Sequence, residues 1–426
     1  MVKNKIVRST DFDRRPAWFR LLNKVWGMAG TDIRRSLDKD DLIKTARKST
    51  GLKDLGKDFN DEPLDRLLES IIGEAGLHPA GIFITRQRMV NLLSIRLRAE
   101  QWFKEHPEIL DRELYPMYMI IGAQRTGTTK LHRLLASDPD NRSLLSWEAI
   151  NPVPLNKEFR KKEKRVRAAK TSESALKIMA PGFFSIHPVE HNAPEEDILL
   201  LDVSFLSTTP EATMNVPSYS VWLETTDQSA AYRYAVKLLK FLQWQRPGKR
   251  WVLKSPHHLE FLHLVDKYYG NVNYLWTHRR LDEAIPSFLS MVSHSRMIFS
   301  NDVRLEDVAS HWVRKTGFIL GKGYEYRNSA GNGNRFTDIN YATFSKDPFP
   351  VLKELYSDLG GISEEQMQRF LQTEYNNPQG KYGRHVYTPG DFGLTEAEIL
   401  RFVDGYEHFH NKIKKGLVTG AFIENS

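Results

Sequence analysis

The stretch GAQRTGTT, at positions 122 to 129, has the residue types of a loop that binds a phosphate group. Its two glycines have the spacing of the nucleotide-binding pattern G-x-x-x-x-G-K-[ST], and Thr129 fills the hydroxyl position. The lysine position holds Thr128, and a cation, Arg125, stands three residues earlier. A kinase or ATPase uses that lysine on the β- and γ-phosphates. The pattern therefore predicts a loop that holds a single terminal anionic group through Arg125 and threonine hydroxyls.

A second pair of residues could hold another anion. In THRRLDEAIPSFLS (277–290), Arg279 ends a predicted strand, and Ser287 lies eight residues later, about one turn into the next predicted helix. An arginine at the carboxyl end of a strand can meet a serine at the start of the following helix, and a guanidinium group binds phosphate well. Two anion sites at one sheet edge predict a ligand with two separate phosphate-like groups.

Both sites require strands that end at a common edge of one sheet. Short apolar runs that predict strands are MYMII (117–121), RWVLK (250–254) and NVNYLWTHR (271–279). Each is followed by a stretch with helical spacing, namely KLHRLLAS (130–137), HLEFLHLVDKYYG (258–270) and LDEAIPSFLSMVSH (281–294). This alternation predicts an α/β fold in which a central parallel sheet lies between two helical layers.

The chain before residue 113 has a different pattern. Between residues 38 and 110, apolar residues recur at helical spacing, as in PLDRLLESIIGEAG with Leu64, Leu67, Leu68 and Ile71. We expect an N-terminal helical region over residues 1–112. The α/β domain with the phosphate loop would then occupy residues 113–426, with helical insertions that cover a cleft.

Composition limits the classes of protein that the chain could be. The 426 residues include no cysteine, which excludes disulfides, thiolate nucleophiles and cysteine metal sites. We see no secretory signal and no run of about 18 apolar residues, so we expect a cytoplasmic protein without a transmembrane segment. The net charge of +8 suits a polyanionic small molecule, nucleic acid or an anionic membrane, and charge alone does not choose among them.

Three stretches resemble the signatures of one enzyme family. GAQRTGTTKLHRLLASDPD, WVLKSPHHLEFL and THRRLDEAIPSFLSM are similar to those of sulfotransferases that use 3′-phosphoadenosine 5′-phosphosulfate as the sulfuryl donor. The similarity is closest to the large bacterial branch, which also resembles the tyrosylprotein sulfotransferases. It is specific from about residue 116 to 293, looser over 339–360 and 385–400, and weak in the N-terminal helices.

The resemblance implies how the donor would be bound. In the family the first loop holds the 5′-phosphosulfate, the arginine–serine pair holds the 3′-phosphate, and a tyrosine packs near the adenine. The matching residues here are Arg125, Thr126, Gly127, Thr128, Thr129, Arg279, Ser287 and Tyr341. The family's Arg-Asp-Pro is Arg279-Arg280-Leu281 in this chain, a departure that removes an acid and a proline but keeps the arginine–serine pair.

The resemblance also implies residues that act in the transfer. An acceptor oxygen would attack in line while the site stabilises the charge on the leaving phosphate. Arg125 and Lys254, which ends the strand RWVLK, match cations that steady this charge. Glu148 lies nineteen residues after Thr129 and matches the position of the catalytic glutamate in the tyrosylprotein branch. We therefore expect Glu148 to be the base that takes the proton from the acceptor hydroxyl.

Other residues could take that proton or line the acceptor pocket. His187 and His191 are rivals of Glu148, because the cytosolic branch of the family uses a histidine. A further option is the acidic group Glu195, Glu196 and Asp197. His385 and Tyr387 are expected to line the cleft. No histidine spacing suggests a metal site, since HPVEH (187–191) does not match H-E-x-x-H.

The sequence thus favours an enzyme that moves a sulfuryl group to a hydroxyl of a small, hydrophobic alcohol or phenol, without a metal. The apolar stretch 181–224 would enclose this acceptor or simply form core. A P-loop kinase or NTPase is the alternative, but it should carry a loop lysine and a strand aspartate for Mg²⁺, and NVNYLWTHR supplies no aspartate. A nucleic-acid-binding protein that uses the basic run 157–170 should interleave aromatic residues there, and only Phe159 does so.

Overall fold

The computed structural model describes residues 6–12, 15–28, 30–155, 163–329, 332–402 and 418–419. Its strands are β1 (Ile6–Arg8), β2 (Met117–Ile121), β3 (Asn141–Ser143), β4 (Arg250–Lys254), β5 (Val272–His278), β6 (Phe336–Asn340), β7 (Arg384–Val386) and β8 (Val418–Thr419). The predicted strands 117–121 and 250–254 have the predicted bounds, and the predicted strand 271–279 loses one residue at each end.

The helices before β4 are α1 (Ala17–Met28), α2 (Ile33–Ser36), α3 (Lys39–Thr50), α4 (Glu62–Glu74), α5 (Pro79–Glu105), α6 (Thr128–Ala136), α7 (Ser146–Ile150), α8 (Glu163–Met179), α9 (Pro181–Ile186), α10 (Ile198–Leu201), α11 (Thr209–Thr213), α12 (Pro217–Thr225) and α13 (Ser229–Gln245). Those after β4 are α14 (Leu262–Tyr269), α15 (Leu281–Arg296), α16 (Leu305–Asn328), α17 (Tyr341–Lys346), α18 (Phe349–Leu355), α19 (Glu364–Asn376) and α20 (Glu396–Arg401).

The main sheet has the strand order β3-β4-β2-β5-β6-β8. Strands β2 to β6 pair in parallel, and β8 pairs antiparallel with β6. Parallel neighbours need crossover connections, which the intervening helices supply. A separate two-stranded sheet joins β1 to β7, which nothing in the sequence predicted.

Both faces of the main sheet are buried. Side chains alternate between the two faces of a strand, so successive residues of one strand enter different buried clusters. In β2, Met119 and Ile121 belong to the larger buried cluster, which includes residues of α5 and α13. Ile120 belongs to a second cluster, with Leu131 of α6 and Leu352 of α18. Continuous apolar strands with helices on both sides are typical of parallel sheets. The α/β fold predicted from the sequence is therefore confirmed.

The helices of the N-terminal region are present at the predicted place. Leu42 of α3, Leu68 of α4 and Leu93 of α5 lie in the same buried cluster as Met119 of the sheet. The predicted division at residue 112 stays a prediction. Within the described ranges, no helix is long and apolar enough to cross a membrane. Of the basic run, residues 157–162 lie outside the described residues, and the rest begins α8.

Candidate active site

The loop between β2 and α6 has backbone conformations that few residues adopt. Gly127 has a φ of 93°, and Arg125 has a φ of 70°. A Cβ atom on Gly127 would lie 2.6 Å from Cδ2 of Tyr341, so a glycine is required between the loop and this ring. The left-handed backbone at Arg125 is strained for a residue with a side chain, and such strain is concentrated at functional sites.

The threonines of the loop divide into two groups. The Thr126 hydroxyl donates to the Ala123 carbonyl oxygen at 2.6 Å and lies 2.7 Å from Oγ1 of Thr277 in β5, so it fastens the loop to the sheet. Thr128 and Thr129 begin α6 and line a cavity. The first N–H groups of a helix have no partners within it, and the helix dipole favours an anion there. The start of α6 is therefore suited to an anionic group.

The second predicted anion site lies against the first. Nε of Arg125 donates to Oγ of Ser287 at 3.1 Å, and Nη1 of Arg279 donates to the carbonyl oxygen of Arg125 at 3.0 Å. The Arg279 guanidinium carbon lies 4.7 Å from the centre of the Tyr341 ring. Burial, together with the charge of Arg279, lowers the pKa of Arg125. Glu283 already accepts from Nε and Nη2 of Arg279 at 3.2 Å, and a bound anion would add a second negative partner beside the two arginines.

Both sites open into one cavity with a volume of about 830 Å³. Residues of the predicted donor site that line it are Arg125, Gly127, Thr128, Thr129, Arg279, Ser287 and Tyr341. Of the predicted acceptor residues, His187, His385 and Tyr387 line it as well. The structure therefore brings together all the predicted binding residues except Thr126 and His191.

Lys254 and Glu196 form an ion pair at the edge of this cavity. Nζ of Lys254, at the end of β4, donates to Oε1 of Glu196 at 2.6 Å. The Lys254 side chain is buried, whereas Glu196 is partly exposed and lines the cavity. Burial raises the pKa of the neighbouring Glu195 carboxyl. The carboxylate of Glu196 is thus held next to the cavity by a cation.

Glu148, the predicted base, occupies a different environment. It is buried in α7, and its two carboxylate oxygens accept from Arg142 at 2.8 and 2.9 Å and from Arg246 at 3.0 and 3.3 Å. The Leu145 N–H also donates to it, at 3.0 Å. Burial alone would raise the pKa of Glu148, but the two arginines outweigh it and hold the pKa below its usual range. Glu148 is not among the residues that line the cavity.

The two candidate histidines also separate. His187 lines the cavity, and burial, with the charges of Lys254 and Arg125, lowers its pKa to about 3. It is therefore neutral at pH 7, with a free lone pair on one ring nitrogen. His191 does not line the cavity, and its Nδ1 lies 2.6 Å from Oε2 of Glu173. Of these two histidines, His187 is therefore the one that lines the cavity.

His385 and Tyr387 both line the cavity and are in contact with each other. Their ring centres are 4.8 Å apart, and Nε2 of His385 lies 2.8 Å from Oγ of Ser290 in α15. Burial, with the charge of Arg125, lowers the pKa of His385 to about 3. Its Nδ1 is buried and has no partner among the described residues.

A basic loop that no sequence pattern predicted also lines the cavity. The segment after α19, NPQGKYGR (377–384), lines the cavity throughout. Glu190 holds it, since this carboxylate accepts from the Tyr382 hydroxyl, lies 3.5 Å from Nζ of Lys381, and accepts from Arg133 of α6 at 2.6 Å. Its glycines and basic residues could have suggested an anion-binding loop. Its position at the same cavity as the loop 122–129, however, depends on contacts with a residue about 190 positions earlier.

The departure from the family pattern at Arg280 and Leu281 leaves the arginine–serine pair in place. Arg280 is exposed, is not among the residues that line the cavity, and pairs with Asp282 and Glu283. Leu281 is buried in the core. Among the described residues, no three histidine, aspartate or glutamate side chains are grouped so as to hold a metal ion.

A family model described as "Sulfotransferase family" matches residues 116–364. Among solved structures, sulfotransferase STF1 from Mycobacterium tuberculosis H37Rv is 27% identical with a TM-score of 0.74, covering 86% of this chain and 98% of that chain. Sulfotransferase STF9 from Mycobacterium avium shares the fold, with 23% identity, a TM-score of 0.77 and coverage of 87% and 96%. A search among curated proteins finds no match. The family model matches more than half of the chain, and the chain therefore belongs to the sulfotransferase family.

Proposed function

We propose that the chain transfers the sulfuryl group of 3′-phosphoadenosine 5′-phosphosulfate to a hydroxyl of a small acceptor. The observation that carries this proposal is the shared cavity of the two anion sites. Arg125 and Thr128 belong to the first site, Arg279 and Ser287 to the second, and all four line the same space. A donor with phosphate groups at the 3′ and 5′ positions of its ribose needs two separate anion sites. A nucleoside triphosphate needs a single elongated anion site for its phosphate chain.

The residues present fit such a donor. The start of α6 offers N–H groups to the 5′-phosphosulfate, and the close approach of Tyr341 to Gly127 leaves no room for a larger residue in the loop. Arg279, stacked on the Tyr341 ring, can hold the 3′-phosphate while the same ring lies close to the adenine. The donor supplies an activated sulfuryl group, and the chain's own residues bind it and orient it.

Arg125 and Lys254 act on the charge that develops at the leaving phosphate. Lys254 is buried and Arg125 is partly buried, so their charges are screened less than those of surface residues. Arg125 belongs to the loop itself, and Lys254 ends the strand beside it in the sheet. In this proposal the two cations lower the barrier to departure of the bisphosphate.

Glu196 is the base in this proposal, in place of Glu148. It lines the cavity, and Lys254 engages only one of its oxygens. The other oxygen can take the proton of the acceptor hydroxyl, which general-base catalysis requires within hydrogen-bond reach. Glu148 has both oxygens engaged by arginines. His187 is the rival within the cavity, because burial and the charges of Lys254 and Arg125 lower its pKa and leave its ring neutral.

The acceptor would lie beside the apolar part of the cavity wall. Ile186, Pro188 and Met291 line this part next to His187, and they suit the carbon skeleton of an alcohol or phenol. The hydroxyl would then point toward Glu196 and the loop.

Calorimetric titration with 3′-phosphoadenosine 5′-phosphate tests the donor assignment. The wild-type chain, Arg279→Ala and the matched control Arg280→Ala would be compared, because the two arginines are adjacent and only the first lines the cavity. Loss of one charge-assisted contact should weaken binding by about 10- to 100-fold in Arg279→Ala. Arg280→Ala should bind as the wild type does.

The same titration with ATP and Mg²⁺ separates the alternatives. A sulfotransferase should bind the bisphosphate more tightly than ATP. If ATP with Mg²⁺ binds and the bisphosphate does not, the proposed donor is wrong. The chain would then be a kinase or NTPase with an unusual phosphate-binding loop.

A further inference from the structure

Helix α1 presents an apolar face to solvent. Its residues Trp18, Leu21, Leu22, Val25 and Met28 are between 47% and 81% exposed. Successive residues of a helix are turned by roughly 100°, so these five residues cover one continuous side. A face of this size on one short helix exceeds the scattered apolar residues that are normal on protein surfaces.

The other side of α1 is fixed to the protein. Phe19 is buried, with its ring centre 5.9 Å from that of His78. Oδ1 of the buried Asn23 accepts from the Ala80 N–H of α5 at 2.9 Å, and the Trp26 and Phe83 rings lie 5.7 Å apart. The helix is therefore anchored through this side. Because that anchoring fixes the orientation of the helix, its apolar face is exposed to solvent.

Basic residues lie on one flank of the apolar face and on the next helix along the chain. Arg20 and Lys24 of α1 and Arg34 and Arg35 of α2 are exposed, and none of them forms a side-chain ion pair with another described residue. Acids at positions 11, 13, 38, 40 and 41 lie on either side of this part of the chain, and between residues 17 and 36 the sequence has four basic residues and one acid. That acid, Asp32, accepts from the backbone N–H groups that begin α2. Helix α1 therefore carries an exposed apolar face with the cations Arg20 and Lys24 on its flank.

We propose that α1 docks the protein on the anionic surface of a lipid bilayer. A helix that lies in a membrane interface combines tryptophan and leucine on one side with lysine and arginine beside them, which is the composition found here. A second copy of the chain suits the face less well, because a twofold contact would bring the cations of both copies together. The inference does not depend on the proposed sulfuryl donor.

The docked face would be close to the active site. Only residues 9–16 lie between α1 and β1, and β7, the partner of β1, carries the cavity residue His385. A connection of this length spans at most about 30 Å. Docking through α1 would therefore keep this rim of the cavity near the bilayer.

Cosedimentation of the full chain with lipid vesicles tests the proposal. Vesicles of phosphatidylcholine alone would be compared with vesicles that contain equal parts of phosphatidylcholine and phosphatidylglycerol. We expect binding to the anionic vesicles only, and a loss of most binding as the salt rises from about 0.1 M to about 1 M, since salt screens surface charge.

Two double variants identify the face. Leu21→Glu with Val25→Glu should lower the vesicle partition coefficient by about 100-fold or more. Arg20→Gln with Lys24→Gln should lower it by roughly 25-fold, about five-fold for each cation lost. The matched control is Val221→Glu with Leu371→Glu, since both residues are exposed apolar positions on other helices. The control should bind as the wild type does, and an unchanged thermal midpoint should show that each variant is folded.

Three results would overturn the proposal. The first is no binding to anionic vesicles, and the second is an equal loss in the control variant. The third is a dimer in sedimentation velocity that Leu21→Glu with Val25→Glu dissociates, which would assign the face to a second copy of the chain.

Discussion

At the scale of single residues, the two carboxylates Glu148 and Glu196 show how environment separates structural from chemical roles. Glu148 is enclosed by Arg142 and Arg246, and removal of one partner from a buried pair leaves an uncompensated charge. Glu196 shares one oxygen with Lys254 and faces the cavity with the rest of its side chain. The first carboxylate should stabilise the fold, and the second should take part in the reaction.

Replacement of each carboxylate by an amide tests this division. Glu148→Gln should lower the free energy of unfolding by about 3 kcal/mol or more, because Arg142 stays buried without its partner. Glu196→Gln should cost less stability, because Glu196 is partly exposed and its amide oxygen can still accept from the buried Lys254, but it should lower turnover by about 100-fold or more. Stability is measured by denaturant titration, and turnover by release of the bisphosphate in the presence of a panel of alcohols and phenols.

His187→Ala is the control for this assignment, because it removes the other cavity-lining group with a lone pair. If it abolishes turnover while Glu196→Gln stays active, His187 is the base. A Glu148→Gln variant with normal stability and no turnover would return the role to Glu148.

Sequence could predict which residues share the cavity, because the stretches that contain them are local. The loop 122–129 and the spacing of Arg279 and Ser287 are each contained within a few residues, and both follow predicted strands. The environment of Glu148 could not be predicted, since Arg246 lies 98 positions away and its contact with Glu148 arises only from the packing of the chain. The loop that contains Lys381 and Tyr382 was missed for the same reason.

At the scale of elements, hydrophobic periodicity predicted the central strands and the helices around them, because each pattern is local. The stretch 258–270 is an exception, since it was predicted as one helix. There Ser255 caps a 3₁₀ turn at Pro256–Glu260, with Oγ accepting from the His257 N–H at 3.2 Å, and α14 begins only at Leu262. The pairing of β1 with β7 lay beyond any such pattern, because three-residue strands 378 positions apart have no periodicity.

Helix α5 begins at a histidine cap, which should make its start sensitive to acid. Nδ1 of His78 accepts from the Gly81 N–H at 2.9 Å, a bond that requires the neutral ring. Burial, with the charge of Arg15, lowers the pKa of His78 to about 4. The unfolded chain, with a histidine pKa of about 6.5, therefore binds a proton that the folded chain excludes. The contribution of the neutral His78 to the free energy of unfolding is complete above about pH 6.5 and is lost as the pH falls toward 4.

His78→Asn should remove this acid sensitivity, because asparagine can cap a helix without titrating. Between pH 6.5 and pH 5 the wild type should lose roughly 2 kcal/mol more of its free energy of unfolding than the variant does. Denaturant titrations at several pH values measure the difference. Phe19→Leu is the control, since it weakens the ring contact but keeps the imidazole, and it should lower stability at all pH values with the wild-type slope. Equal slopes in wild type and His78→Asn would contradict the prediction.

At the scale of the whole molecule, the first and last parts of the chain meet beside the cavity. Val7 pairs with His385 in the two-stranded sheet, and the Ser9 hydroxyl donates to Asp391. Phe12 adds a ring contact to His294 of α15, the helix that carries Ser287. A two-stranded sheet is marginal by itself. The N-terminal segment therefore supports the wall that holds His385 and Tyr387.

Deletion of residues 1–12 should therefore loosen this wall. Without β1 and Phe12, strand β7 loses its pairing partner, and the ligand must order the wall when it binds. We expect roughly ten-fold weaker binding of 3′-phosphoadenosine 5′-phosphate by calorimetry, together with faster hydrogen exchange at residues 384–386. Deletion of residues 1–5 is the matched control, because it leaves β1 in place and should change neither quantity. Exchange as slow as in the wild type after the longer deletion would show that β7 is held by its other contacts, such as that between His385 and Ser290, and that the cavity wall does not depend on the start of the chain.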